Sequence, residues 1–154
     1  MRCKIAALLV AWCAGAWAQS SSGYVFYAPG GANGAGRTTQ FGGGGEVMLW
    51  KGLGLMADGG VWSPSEDLGS ALGVFSPNAS YHFLHSRESK LDPYVVGGYT
   101  LLFREGVANL FDFGVGTNYW FARRVGLHVE FRDQVYSGGG MTHLWGIRLG
   151  VAFR

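Results

Sequence analysis

Past Cys13 the chain has no cysteine, which excludes a disulfide framework, a thiol nucleophile and a thiolate metal site from everything downstream. Lysine is almost as scarce: Lys4, Lys51 and Lys90 are the full complement, and charged residues make up only 14% of the chain. That is a thin coat for a water-facing sheet protein, whose outer surfaces carry Lys and Glu for solubility. Proline is limited to four residues. No apolar run after Gln19 approaches the ~20 residues a membrane-spanning helix requires, and helical periodicity is hard to find. Excess charge is missing too. The 12 Lys and Arg face 10 Asp and Glu, and setting aside Arg2 and Lys4 brings the two levels together, so a basic nucleic-acid surface is not indicated.

Glycine and aromatics are abundant instead, with 27 Gly and Phe, Tyr and Trp at 15%. Disordered chains are poor in aromatics, so the glycine does not signal disorder. Glycine set among aromatic strands fits a tightly curved small barrel, whose interior leaves little room for side chains. The first residues follow a secretory pattern: Met1-Arg2-Cys3-Lys4, an apolar run from Ile5 to Trp17, and Ala16-Trp17-Ala18 before Gln19. Cleavage after Ala18 is expected, leaving 19–154 as one domain outside the cytoplasm. The bulky Trp12 before Cys13 argues against lipidation at that cysteine.

Period-two alternation dominates the remainder. Val125, Leu127, Val129, Phe131 and Val135 share one face against His128, Glu130, Arg132 and Gln134, with Asp133 the single violation. Trp145, Ile147, Leu149, Val151 and Phe153 alternate with Gly146, Arg148, Gly150 and Ala152. The pattern recurs in Phe111, Phe113, Val115, Tyr119 and Phe121 against Asp112, Gly114, Gly116 and Asn118. It recurs again around Phe75 to Phe83, Leu53 to Val61 and Phe41 to Leu49. Further strands are expected at 23–28 and 94–103, which brings the count to eight. Turns at Lys51-Gly52 and Ala122-Arg123-Arg124, with a longer one over 84–92, fall on one side. Loops over 29–38, 63–72, 104–109 and 137–142 fall on the other, rich in the Gly, Ser and Asn that turns favour. An even number of strands returns both termini to one side.

Alternation alone also fits a soluble sandwich, so chemistry decides. The polar faces are Gly, Ser, Asn and scattered charges, which suit a narrow lumen better than a solvated surface. Trp50, Trp62, Trp120 and Trp145 sit near strand ends with Tyr24, Tyr81, Tyr94, Phe103, Phe111 and Tyr136, as headgroup-level girdles do. By strict alternation Trp50, Trp62 and Trp120 fall on the lumen side, so a bulge shifts them or they cap the barrel ends. The fold expected is all-β, an eight-stranded antiparallel up-and-down transmembrane β-barrel.

With Pro93-Tyr94-Val95-Val96-Gly97-Gly98-Tyr99, Phe113-Gly114-Val115-Gly116 and the final Leu149-Gly150-Val151-Ala152-Phe153, the chain resembles the small outer-membrane barrels that include the OmpA barrel domain, OmpX and opacity-type proteins. The resemblance spans essentially all of 19–154. It implies a bacterial outer-membrane location and a C-terminal strand read by the outer-membrane assembly machinery. Arg154 after the terminal aromatic departs from that pattern. Outer-membrane lipid and lipopolysaccharide are the other expected partners, with no nucleic acid and a monomeric state.

The inward faces would carry Glu46, Asp58, Asp112, Glu130, Arg132 and Arg148, with His82 and His128. An eight-strand barrel has an interior that side chains can fill, and charges buried there need partners. A Glu/Asp–Arg network that plugs the lumen is therefore expected, with Glu130 beside Arg148 or Arg132. The function this implies is structural or surface-interacting. The alternative is a narrow pore for ions or small solutes, and a more remote one is a lipid-modifying enzyme. His143 with Ser137 is the nearest thing to a nucleophile and base, but no third group is evident and the His-x-Ser pattern of lipid A deacylases is missing, so no catalytic residue is assigned. The four His show no metal-ligand spacing. Gly42 to Gly45 lacks the Lys-Ser or Lys-Thr of a phosphate loop. Neither metal nor cofactor is expected.

Overall fold

The computed structural model describes residues 20–34, 36–64, 68–84, 89–138 and 141–154. The signal-like segment 1–18 lies outside the described residues. Eight strands follow in order: β1 (Ser20–Ala32), β2 (Gly36–Trp50), β3 (Leu53–Pro64), β4 (Leu72–His82), β5 (Leu91–Phe103), β6 (Val107–Trp120), β7 (Val125–Tyr136) and β8 (Thr142–Phe153). Each pairs antiparallel with its sequence neighbours, and β8 returns to β1 to close the barrel. The closing register runs from Gly23 opposite Phe153 to Ala32 opposite Leu144. The shortest strand has 11 residues, enough to cross a bilayer at the tilt a barrel imposes.

The two faces separate as the alternation requires. Ile147, Leu149, Val151 and Phe153 of β8 point outward and are exposed, while Arg148 and Ala152 are buried inside. On β7 Leu127 and Phe131 point outward, against buried His128, Glu130, Arg132 and Gln134. Outward aromatics form two collars. Tyr27, Phe41, Tyr99, Phe103, Phe111 and Trp145 ring the loop end. Trp50, Tyr81, Phe83, Tyr119, Phe121 and Phe153 ring the end that carries both termini.

Trp50 and Trp120 resolve the alternation problem in different ways. The β2–β3 register shifts between Met48 and Trp50, a bulge that turns Trp50 outward to 61% exposure. Trp120 and Trp62 stay inside at opposite ends of the lumen, both buried. Beyond the bulge, Lys51 and Gly52 both have positive φ, 37° and 89°. That is the two-residue turn whose twist matches the flanking strands, with glycine where a side chain would be strained.

The loops expected over 29–38 and 104–109 are shorter than their composition suggested. Pairing of β1 with β2 continues through Pro29 opposite Thr39 to Ala32 opposite Gly36, and β6 begins at Val107, opposite Phe103. Backbone pairing overrides the turn preference of Gly and Pro because continuing the ladder satisfies the backbone polar groups of both strands.

Inward glycines make room for inward rings. A Cβ on Gly116 would fall 2.6 Å from Tyr94 Oη and 2.7 Å from its Cζ, and one on Gly44 would fall 2.7 Å from Tyr24 Oη. A Gly116→Val change is expected to displace Tyr94 and destabilise the folded barrel by about 1–3 kcal/mol. The measurement is the urea midpoint for folding into detergent micelles. Gly106→Val, at an open position in the β5–β6 turn, is expected to leave that midpoint unchanged.

Candidate functional site: the charged lumen

The site is built from inward positions of seven strands, all but β2. Arg132 of β7 projects into mid-lumen, where its Nε donates to Glu130 Oε1 at 2.8 Å and its Nη1 to Asp112 Oδ1 at 3.2 Å. Glu130 lies opposite Arg148 across the β7–β8 ladder. Arg148 Nη1 sits 3.3 Å from Glu130 Oε1 and donates to Asp58 Oδ2 at 3.2 Å. Asp58 in turn lies 3.9 Å from Arg132. Three carboxylates thus surround two guanidiniums, and all five residues are at most 4% exposed. The arrangement is what a dry interior demands: an unpaired charge there costs several kcal/mol, so each carboxylate is shared between cations or capped by hydroxyls.

The caps come from residues that the charge pattern alone did not single out. Tyr94 donates to Glu130 Oε2 at 2.8 Å, Thr100 to Asp112 Oδ2 at 2.6 Å, and Gln134 to Thr100 at 3.1 Å. Ser76 and Thr100 share a hydroxyl contact of 2.8 Å. Arg148 also lays its guanidinium over the Phe26 ring, 4.3 Å from the centroid, a cation–π contact that strengthens away from water. Their common signal is inward parity on β1, β4, β5 and β7, legible once charge is no longer required of a candidate.

Glu46 does not join this cluster. It lies nearer the terminus-bearing end, where it accepts from Ser80 and meets His82 Nε2 at 2.9 Å. The other ring nitrogen of His82 meets Asp92 at 2.7 Å. Between the two groups stands an aromatic layer: Tyr24 stacks on His128 at 4.6 Å, and Tyr94 stacks on His82 at 5.0 Å. His128 Nδ1 is bonded to Asn118. At the loop end the lumen is capped by Trp62, Val74, Leu102, Leu110 and Leu144, packed together. Trp120 packs into the opposite cluster with Tyr24, Phe26 and Tyr94. A cavity of about 10 Å³ beside Gln40, Gln134 and Arg148 is the size of one water.

Asp133, the violation in the β7 pattern, faces outward and bonds His143 Nδ1 at 2.8 Å across the β7–β8 seam. The pairing explains how a carboxylate is tolerated beside Phe113 and Trp145: its charge is shared with a diagonal neighbour. Among the described residues no group of three or more His, Cys, Asp or Glu is arranged to hold a metal ion.

Eight strands closed in sequence order, an outward apolar surface with two aromatic collars and a polar interior are the features by which the chain can be compared with known proteins. The fold is that of the small outer-membrane barrels. The N-terminal β-barrel domain of Pseudomonas aeruginosa OprF superposes with a TM-score of 0.67 at 20% identity, over 88% of this chain and 98% of that one. Neisserial surface protein A gives 0.62 at 15% identity, over 86% and 96%. Ail, the attachment invasion locus protein of Yersinia pestis, gives 0.60 at 12% identity, over 86% and 96%. No known family profile and no curated protein sequence matches the chain. The likeness is therefore one of architecture, consistent with the OmpA- and OmpX-like resemblance.

Removing one side of the mid-lumen network leaves buried charge uncompensated. Arg132→Met is expected to destabilise the micelle-folded barrel by about 3–5 kcal/mol. Pairing it with Asp112→Asn is expected to recover part of that loss, as a double-mutant cycle read by urea titration reports.

Proposed function

We propose that the protein is a bacterial outer-membrane barrel with a structural or surface-contact role and a lumen closed by its own side chains. Its turns and both termini would face the periplasm and its loops the exterior. The single observation that carries the closed lumen is the Arg132–Glu130–Arg148–Asp58 chain of contacts across mid-barrel. The apolar cap at the loop end and the aromatic layer of Tyr24, Tyr94 and Trp120 toward the termini add further barriers to water and ions. The secretory pattern of residues 1–18 and the outer-membrane origin of the superposed structures support the location. The loops are then the segments of a rigid scaffold that a partner would contact.

Planar-bilayer recording tests the closure. Wild-type protein is expected to give no stable unitary conductance, and steady channels whose size shifts in Glu130→Gln would establish the pore reading instead. The same scaffold reading assigns no catalysis, and Asp133 with His143 serves as a brace between β7 and β8. Lipopolysaccharide incubated with the purified barrel is therefore expected to keep its acyl-chain mass; a time-dependent loss of an acyl chain would overturn this.

A further inference from the structure

Among the described residues, the charges that the lumen does not absorb are distributed unequally between the two ends. At the end bearing both termini, Lys51 lies on the β2–β3 turn, Lys90 precedes β5, Arg123 and Arg124 lie on the β6–β7 turn, and Arg154 follows β8; all five are exposed. No exposed acid accompanies them among the described residues. Asp92 is turned toward His82, and Glu46 is buried in the lumen. The loop end has Arg37, Arg104 and Glu105 exposed, Arg104 being tied to the Gly69 carbonyl at 2.8 Å.

The depth of these cations is set by their neighbours. Each stands within a few residues of the outward collar or of a residue paired with it: Trp50 before Lys51, Phe121 before Arg123, Phe153 before Arg154, and, after Lys90, Leu91 opposite Tyr119. Lys51 lies over the Trp50 ring at 5.0 Å. Arg154, by contrast, folds over the lumen-facing Trp120 ring at 4.3 Å and donates to the Arg123 carbonyl at 3.2 Å, which binds the end of β8 to the β6–β7 turn. Aromatic rings settle at headgroup level, so cations just beyond them stand where lipid phosphates are densest. A cation near an anionic lipid surface contributes on the order of 1 kcal/mol.

We propose that this rim is a binding surface for the phosphate headgroups of anionic phospholipids in the leaflet around the termini. The proposal rests on the membrane-barrel reading above and adds a lipid preference to it. Lipid, rather than a soluble acidic protein, is the occupant because the cations occur at all three turns and after the last strand, encircling the barrel. A flat acidic partner would favour one side. The ring also predicts which way the chain inserts: the basic turns remain with the leaflet they bind, while the loop end crosses.

The test folds the full chain into phosphatidylcholine vesicles with and without phosphatidylglycerol and measures the urea-unfolding equilibrium in each. Anionic lipid is expected to raise the folding equilibrium constant by about tenfold or more, and high salt is expected to erase the gain. The triple variant Lys51→Gln, Arg123→Gln, Arg124→Gln is expected to fold in neutral vesicles as wild type does and to lose most of the gain. Arg37→Gln with Arg104→Gln at the loop end is expected to keep it. Wild type indifferent to lipid charge, or a triple variant with the full preference, overturns the proposal. A chain that inserts into neither vesicle overturns the membrane reading beneath it as well.

Discussion

Hydrocarbon supplies no hydrogen-bond partners, so every backbone N–H and C=O that crosses it must find one within the protein. The pairing of β8 with β1 meets that constraint, and most of the remaining architecture is a consequence. Closing with eight strands yields an interior only side chains can occupy. The outer face must be apolar because lipid touches it, and the inner face is then free to be polar provided its groups satisfy one another. The glycines opposite Tyr24 and Tyr94, the stacked rings around His128 and the two guanidiniums in mid-lumen are solutions to a space problem as much as to an electrostatic one.

The ion pairs of the lumen are better regarded as specifying the fold than as stabilising it. Burying two guanidiniums and three carboxylates carries a desolvation penalty that their mutual attraction roughly offsets. What they contribute is a difference between faces. A one-residue slip in β7 or β8 would expose Glu130 or Arg148 to lipid and bury Phe131 or Leu149 in a polar lumen. Register is therefore held strongly along β7 and β8, where the charges are, and the outward Asp133–His143 bond adds a second lock at the same seam.

The legibility of this structure in the sequence follows the same division. β7 and β8 were readable because large apolar residues alternate with charges, so strand, face and the adjacency of Glu130 and Arg148 emerge together. The ends of β1, β2 and β6 were not, because Pro29, Gly30, Gly31 and Gly106 have turn preferences and no side chain to reveal a face. Glu46 shares inward parity with Asp58, yet parity says nothing about height in the barrel, and strand stagger carries Glu46 to His82 instead. Tyr24 and Tyr94 stand near strand ends as girdle aromatics do, yet both point into the lumen; Tyr94, like Thr100, completes the network there as a neutral donor, which a search for charges does not find. Asp133 looked like an error in the pattern until its diagonal neighbour His143 was known, and diagonal pairing depends on register. The bulge at Trp50 similarly depends on the positive φ values of Lys51 and Gly52, local geometry that alternation does not encode.

The central claim is a closed barrel whose apolar outer surface belongs in a membrane. Heat-modifiable gel migration of the detergent-folded chain, combined with phase partitioning, tests it most directly. The account predicts that the unboiled protein migrates differently from the boiled one, as a compact barrel does, and that it enters the detergent phase. A chain that stays in the aqueous phase without detergent and migrates identically before and after boiling would contradict it.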